Sequence, residues 1–318
     1  APVDHPRFGK RGYGPSESPV AALARGWSSI APATAPKDKE NSTPFSHPAS
    51  SHVFFLRKIK SVVTLAPVSQ KLPISVCILT KNEEENLVRT LPPLDRFAEI
   101  LVFDSGSTDR SIEMCQEAGA VIHEVEWEGF GTTRRKLFEA ASQPWILWLD
   151  ADEVITAPLL EEITDLFQSP PEKIAYSINR IVYFEGKWIR HGEWFPDWVM
   201  RLFPADSWEM IELDVHESVK ISCPKAKLNG LIEHYSFRDW EDLEKRSEKY
   251  AALWAGQRSR TQKKPPSNLS IAARSWVRFL KGYLLKRGFL DGTHGFKIAK
   301  SRAAEVRLKY GLWKTESK

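Results

Sequence analysis

The chain has 318 residues, of which 42% are hydrophobic and 27% charged, and its formal net charge is +4. This composition is typical of a folded globular protein and excludes a chain that is disordered or fibrous throughout. No apolar run approaches the roughly 18–20 residues that span a bilayer, so the sequence does not predict an integral membrane protein. Cys77, Cys115 and Cys223 form no C-x-x-C pair, which argues against a disulfide framework or zinc ribbon and favours the cytoplasm.

The net charge hides an uneven distribution along the chain. From Gln257 onward there are 16 lysines and arginines against three acids, a formal charge of +13. The other 256 residues carry 29 basic and 38 acidic residues, a formal charge of −9. A basic C-terminal segment on an acidic body predicts contact with a polyanion.

Composition divides the chain into three regions. Residues 1–71 hold nine of the 21 prolines and follow neither a helical nor a strand period, so we predict a disordered or loosely attached segment. Residues 72–256 are predicted to form the main folded domain. Residues 257–318 are predicted to form a basic helical extension.

From residue 73 the chain alternates short apolar runs with helical patterns. The apolar runs are interpreted as strands, the first two of them buried, and span residues 74–79, 99–103, 120–125 and 145–149. Between them lie helical patterns, with Asn82 a candidate N-cap of the first, at residues 83–94, 111–118 and 132–141. This βαβαβαβ order predicts an α/β fold with a mostly parallel sheet and helices on both faces.

Polar clusters that contain acids follow three of these strands directly, at residues 80–83, 104–109 and 150–153. In open α/β sheets, ligands bind outside the carboxyl ends of the strands. One such cluster could simply cap the following helix, but three together favour a shared site.

Asp150 and Asp152 are spaced i, i+2, and an extended strand would direct both carboxylates to one face, toward a shared cation. Carboxylates suit Mg²⁺ or Mn²⁺, which complete their shells with water and phosphate oxygens and can neutralise a diphosphate. The sequence has no P-loop motif and no G-x-G-x-x-G in the first βα turn, which argues against nucleotide hydrolases and dinucleotide-binding oxidoreductases of those types. Basic side chains such as Arg134 would then help hold a diphosphate, although Arg134 could equally belong to a solvated helix face.

These motifs resemble a known family. The runs that carry the resemblance are Ile74-Ser-Val-Cys-Ile-Leu-Thr-Lys-Asn-Glu-Glu-Glu-Asn86, Leu101-Val-Phe-Asp-Ser-Gly-Ser-Thr-Asp109 and Trp145-Ile-Leu-Trp-Leu-Asp-Ala-Asp-Glu153. They are similar to family 2 glycosyltransferases of the GT-A fold, and most similar to the lipopolysaccharide-core β-1,4-glucosyltransferase group. Shorter matches continue the resemblance to about residue 312, among them Trp127-Glu-Gly-Phe-Gly131, Arg201-Leu-Phe203 and Lys286-Arg-Gly-Phe-Leu-Asp-Gly292.

The resemblance implies that residues 72–256 are a GT-A catalytic domain that transfers a hexose, glucose from UDP-glucose, with inversion onto a lipid-anchored saccharide. Residues implied to contact the nucleotide sugar are Thr80, Asn82, Glu83, Asp104, Ser105, Arg134 and Asp150. Asp150, Asp152 and His234 are implied to bind a divalent cation, Mn²⁺ or Mg²⁺, with a hydrogen-bonded core histidine as the alternative for His234. Many family members carry a second acid where this chain has Ser105, which leaves the contact to the base open.

Inverting transfer needs a carboxylate that accepts the proton of the acceptor hydroxyl. The order of motifs in GT-A enzymes implies two candidates after the Asp-x-Asp strand. Glu217, in Val215-His-Glu217, is preferred, and Asp197, in Phe195-Pro-Asp197, is the alternative.

The C-terminal extension contains a predicted amphipathic helix at residues 271–286. Its apolar stripe, at spacings of three and four, comprises Trp276, Phe279, Leu280, Tyr283 and Leu284 and is surrounded by basic residues. This pattern predicts contact with an anionic membrane surface, at the inner face of the cytoplasmic membrane, and no nucleic-acid motif accompanies the charge. The alternative is that the stripe packs onto the catalytic domain.

Two other functions fit parts of this pattern. A polyprenyl-phosphate glycosyltransferase would use the same donor site, but the sequence has no C-terminal transmembrane helices. A non-catalytic scaffold that binds membrane or nucleic acid through the tail would not need the carboxylates Asp150, Asp152 and Glu217.

Overall fold

The computed structural model describes residues 71–211, 218–260 and 264–316. The segment predicted to be disordered, residues 1–71, lies outside this part of the chain except for Lys71. The preferred candidate base, Glu217, also lies outside it.

The first half of the domain is a parallel α/β unit. Its strands are β1 (Leu72–Thr80), β2 (Phe97–Asp104), β3 (Val121–Glu124) and β4 (Trp145–Asp150), and its helices are α1 (Glu84–Thr90), α2 (Ser111–Glu117) and α3 (Phe130–Glu139). The strands pair in the order β3-β2-β1-β4, and every pair is parallel. This arrangement confirms the predicted βαβαβαβ unit.

The second half makes the sheet mixed. It contains β5 (Glu153–Ile155), α4 (Ala157–Leu166), β6 (Ala175–Phe184), β7 (Lys187–Ile189), β8 (Asp197–Pro204), β9 (Trp208–Ile211), β10 (Ser218–Ile221) and β11 (Lys225–His234). The sheet continues from β4 in the order β8-β6-β11-β5, and β8 is antiparallel to both of its neighbours. β7 pairs with β6, whereas β9 and β10 form a separate two-stranded ribbon.

The alternation of side chains along the central strands buries both faces of the sheet. On β1, Ile74, Val76 and Ile78 pack into one apolar cluster with α1, α2 and α4, whereas Cys77 packs into another with α3 and the β9–β10 ribbon. Successive residues of a strand point to opposite faces, so a run with no polar gaps can only be accommodated between two layers. Helices on both faces were predicted, and the structure confirms them.

The N-cap predicted at Asn82 is wrong. Asn82 has a left-handed backbone, φ 56°, and its side-chain oxygen accepts a hydrogen bond from the Thr108 backbone N–H at 2.7 Å. Glu83 occupies the N-cap position of α1 without a side-chain cap. The Asn82 side chain therefore ties the β1–α1 loop to the β2–α2 loop.

Three helices follow the sheet: α5 (Trp240–Ser259), α6 (Asn268–Leu280) and α7 (Gly292–Glu316). A π-helical turn (Lys281–Leu285) and a 3-10 turn (Gly288–Asp291) join α6 to α7. The predicted boundary after residue 256 falls inside α5. Ile298 of α7 packs with Val182, Phe184 and Trp194, so the extension shares a core with the end of the sheet. In the part of the chain that the structure describes, no helix is both long and apolar enough to cross a membrane.

The packing of α7 against the 3-10 turn can be tested by replacing each of two α7 glycines with alanine. A Cβ on Gly295 would lie 1.7 Å from the Gly288 carbonyl oxygen, whereas a Cβ on Gly311 meets nothing within 4 Å. We expect Gly295→Ala to lower the free energy of unfolding by about 1–3 kcal/mol, because the backbone of the 3-10 turn must shift. Gly311→Ala is the control and should raise it by about 0.5–1 kcal/mol. Urea denaturation of both variants measures the difference, and equal effects would contradict this packing.

Candidate active site

A cavity of about 820 Å³ opens at the carboxyl ends of β1 and β4. Six of the residues singled out from the sequence line it: Glu83, Arg134, Asp150, Asp152, Asp197 and His234. They come from five separate stretches of the chain, which the fold brings to one cavity. Thr80, Asn82, Asp104 and Ser105 lie on the adjoining β1 and β2 ends.

Asp150 ends β4 among cationic and polar donors. Its Oδ1 lies 3.0 Å from a guanidinium nitrogen of Arg134, and its Oδ2 accepts a hydrogen bond from Arg201 at 2.7 Å. Both guanidinium groups also lie over the ring of Trp148, 4.5 and 4.7 Å from its centroid. Although burial opposes ionisation, the charges of Arg201 and Arg134 hold the pKa of Asp150 well below its usual range.

Glu153 extends this arrangement into a buried charge network. Its side chain is fully buried and accepts hydrogen bonds from Arg201 and, at 2.9 Å, from Arg180. Arg180 in turn donates to Asp197 through two of its nitrogens, at 2.9 and 2.7 Å. Each buried charge is thus paired, as burial requires.

The sequence pattern did not predict roles for Glu153, Arg180 and Arg201. Glu153 and Arg201 stood inside quoted motifs, but no spacing rule connects them because 48 positions separate the two. Arg180 lies in the middle of an apolar strand, and a charge at such a position was the available signal.

Asp152 and His234 form a separate pair. The structure differs here from the expected extended spacing, since residues 151–152 form a turn and the two carboxylates contact different partners. His234 Nε2 lies 3.4 Å from Asp152 Oδ2. Burial lowers the pKa of His234, but the hydrogen bond to Asp152 and its charge outweigh this effect, so the net pKa is raised.

The described residues contain no group of three or more histidine, cysteine, aspartate or glutamate side chains arranged to hold a metal ion. Asp152 and His234 nevertheless fit a cation that takes two protein ligands and completes its shell with phosphate oxygens and water, as Mg²⁺ and Mn²⁺ commonly do. Asp150 is engaged by two arginines, and its role as a ligand stays a prediction.

The β2–α2 loop is organised by Asp104. Its carboxylate accepts hydrogen bonds from the backbone N–H groups of Gly106 and Ser107, both at 2.8 Å, and from the Ser107 hydroxyl. These bonds shape the loop and leave little of the carboxylate for a ligand. Beside it, Thr80 is buried and its hydroxyl has no hydrogen-bond partner within the described residues, which is unusual for a buried polar atom.

Two aromatic side chains, Trp194 and Phe130, line the cavity. Trp194 is itself 9% exposed and packs among Phe184 and Phe237. Phe130 makes an edge-to-face contact with Trp127, with 4.6 Å between the ring centroids. Aromatic faces of this kind can stack on sugar or base rings.

Residues 75–223 match the family model for glycosyl transferase family 2. The chain contains a family 2 glycosyltransferase domain. The resemblance found in the sequence is confirmed at the level of the family. The GT-A fold that it implied is confirmed as well, since the matched residues form most of the mixed α/β sheet, β11 completes it, and a helical extension follows.

Several glycosyltransferases are similar to this chain. One is an uncharacterised glycosyltransferase of Rickettsia typhi, 27% identical over 237 residues that cover 70% of this chain and 80% of that protein. The lipopolysaccharide core biosynthesis glycosyltransferase LpsC of Rhizobium meliloti is 35% identical over 121 residues, 36% of this chain and 45% of LpsC. A crystal structure of S. aureus TarS in complex with UDP-GlcNAc is 12% identical, covers 77% of this chain and 90% of that one, and has a TM-score of 0.38.

The charge network of the glycosyltransferase domain should make its stability depend on pH in the acid range. Because the folded-state pKa of Asp150 is depressed, its stabilisation is present above the unfolded pKa and is lost as the pH falls toward the folded value. We expect Asp150→Asn to be less stable than the wild type at neutral pH. The gap should shrink between about pH 5 and pH 3, where the unfolded aspartate takes up its proton. Chemical denaturation across this range measures it, and a gap independent of pH would refute the assignment.

Proposed function

We propose that this protein transfers a hexose, glucose from UDP-glucose, to a lipid-anchored saccharide such as a lipopolysaccharide core, with inversion at the anomeric carbon. The observation that carries the proposal is the convergence of Arg134, Asp150, Asp152 and His234 on one cavity of a family 2 domain. Cationic, carboxylate and imidazole groups together suit a metal-bound diphosphate.

The donor half of the proposal assigns a role to each group around the cavity. Asp152 and His234 hold the divalent cation, which when bound neutralises charge on the nucleoside diphosphate leaving group. Arg134 lies at the cavity wall, from where its guanidinium meets phosphate oxygens. The unpaired hydroxyl of Thr80 and the loop that Asp104 shapes contact the nucleoside.

In the transfer step, the acceptor hydroxyl oxygen attacks the anomeric carbon while the bond to the diphosphate oxygen breaks. A carboxylate takes the hydroxyl proton. Asp197 lines the cavity and is paired with Arg180 at 2.7 Å. We therefore propose Asp197 as this base in place of Glu217, which the sequence favoured and which lies outside the described residues.

The acceptor half rests on two observations. LpsC, which is similar over part of the chain, is described as acting in lipopolysaccharide core biosynthesis. The basic extension suits an acceptor held at an anionic membrane surface, at the inner face of the cytoplasmic membrane.

Removal of one proposed cation ligand should separate metal binding from folding. We expect Asp152→Ala to lose the Mn²⁺-dependent part of the thermal stabilisation by UDP-glucose and to lower turnover at least about 100-fold. Asp165→Ala removes an exposed carboxylate of α4 and is the control. A thermal-shift screen of nucleotide sugars with and without Mn²⁺ measures the first effect. Unchanged stabilisation of Asp152→Ala would overturn the metal assignment, and preference for another nucleotide sugar would overturn UDP-glucose.

Replacing each candidate base with its isosteric amide shows which of the two accepts the proton. We expect Asp197→Asn to lower kcat by about 10²–10⁴-fold while UDP-glucose still stabilises the protein, because the amide cannot take a proton. Glu217→Gln should then turn over normally, as should the control Glu209→Gln on β9. Steady-state transfer assays measure kcat, and the reverse pattern would assign the proton to Glu217.

A further inference from the structure

A segment made of the second half of α6, the two turns after it and the start of α7 exposes large apolar side chains. Ile271 and Phe279 of α6 turn inward, and Phe279 packs against Ala299 and Ala303 of α7. The opposite side is open, with Val277 64% and Leu285 79% exposed. The exposed apolar residues of this segment are Trp276, Val277, Leu280, Leu284, Leu285, Phe289, Leu290 and Phe296.

Ring contacts connect the aromatic members of this set across the helices and the turns. Tyr283 lies 6.3 Å from Phe289 and 5.7 Å from Phe296, centroid to centroid, and 5.4 Å from Phe279. Phe279 in turn contacts Trp276. Single exposed apolar residues are common on proteins, but a contiguous patch marks a surface that another phase or molecule covers.

The charge around this patch has one sign. Within residues 271–297 the exposed basic residues are Arg274, Lys281, Lys286, Arg287 and Lys297. Between Lys264 and Ala304 the sequence has one acid, Asp291, which is 3% exposed and accepts hydrogen bonds from the backbone of the β7–β8 loop. The outward face of the segment therefore combines apolar side chains with positive charge. We call these eight apolar and five basic residues the apolar-basic surface.

We propose that the apolar-basic surface inserts its leucines and phenylalanines into an anionic phospholipid bilayer, with its basic residues among the headgroups. The inference deepens the proposed function, on which it rests for the membrane-attached acceptor. An amphipathic element with a basic border and apolar centre is suited to the interface between headgroups and acyl chains. The sequence pattern predicted membrane contact for the whole stripe of residues 271–286, whereas the structure turns Phe279 inward and brings Leu285, Phe289 and Leu290 to the surface.

The apolar-basic surface is bonded directly to a wall of the cavity. The Gly192 N–H donates to the Lys286 carbonyl at 2.9 Å, and the His191 N–H donates to Asp291 at 2.8 Å. Next along the chain, Glu193 pairs with Arg278 at 2.7 Å and lines the cavity. The turn that would enter the headgroup layer thus holds the loop that borders the cavity, and an acceptor in that layer would approach from this side.

Vesicle binding tests the inference without any catalytic assay. The full chain is sedimented with vesicles of phosphatidylcholine alone and of phosphatidylcholine mixed with phosphatidylglycerol. We expect binding to the mixed vesicles that weakens with added salt, because screening acts on the basic border. Leu285→Asp combined with Leu290→Asp should reduce binding at least about tenfold, since a carboxylate is both costly in the interface and repelled by anionic lipid.

Val88→Asp is the matched control, because Val88 is 61% exposed on α1, away from the apolar-basic surface. This variant should bind vesicles like the wild type, and circular dichroism should show all variants folded. The proposal is overturned if the double variant binds like the wild type, if the wild type ignores anionic vesicles, or if the double variant converts a dimer to a monomer instead.

A donor-binding assay distinguishes failure of the membrane-surface proposal from failure of the proposed function. Stabilisation by UDP-glucose and Mn²⁺ in the absence of vesicles should be the same for the wild type and the double variant, because neither leucine lines the cavity. Vesicle binding without any donor binding would refute the proposed function and keep the membrane surface. Donor binding without vesicle binding would do the reverse.

Discussion

Three arginines, from α3, β6 and β8, pair with three carboxylates, from β4, β5 and β8, and this pairing is the constraint on which the candidate active site depends. Arg134, Arg180 and Arg201 contact Asp150, Glu153 and Asp197 in a continuous chain of ion pairs. A buried arginine such as Arg201 is tolerated only while its partners remain charged, and the loss of one partner leaves a buried charge uncompensated. The antiparallel insertion of β8 between β4 and β6 meets this requirement, because it places Arg201 beside Asp150 and Asp197 beside Arg180.

This network also organises the floor of the cavity. Asp150 is held by two arginines, so the carboxylate turned toward His234 is that of Asp152. One acid of the Asp-x-Asp pair thereby stabilises the arginines, and the other pairs with His234. The cavity wall thus presents paired cationic and anionic groups beside a carboxylate and an imidazole, a combination that suits a diphosphate and its metal ion.

The C-terminal helices complete the same cavity from the other side. Arg278 and Arg302 of the extension meet Glu193, and Asp291 holds the backbone of the loop that carries it. Ile298 packs with Trp194, whose ring lines the cavity. The basic residues of the C-terminal extension therefore have different partners. Arg278 and Arg302 pair with Glu193 of the sheet domain, and five others belong to the apolar-basic surface.

The sequence by itself determined the parallel half of the fold and the residues that meet at its edge. Apolar runs such as that of β1 are local signals, and the carboxyl ends of parallel strands necessarily share one edge, so Asp150, Asp152 and Arg134 could be brought together without coordinates. Only the tertiary structure decided which groups touch. It paired Asp150 with Arg201, closed the β2–α2 loop on Asp104, turned residues 151–152 out of the strand and buried Phe279 while exposing Leu285. These contacts join residues far apart in the chain, and their partners are selected by packing and by the need to pair buried charges, which no local pattern encodes.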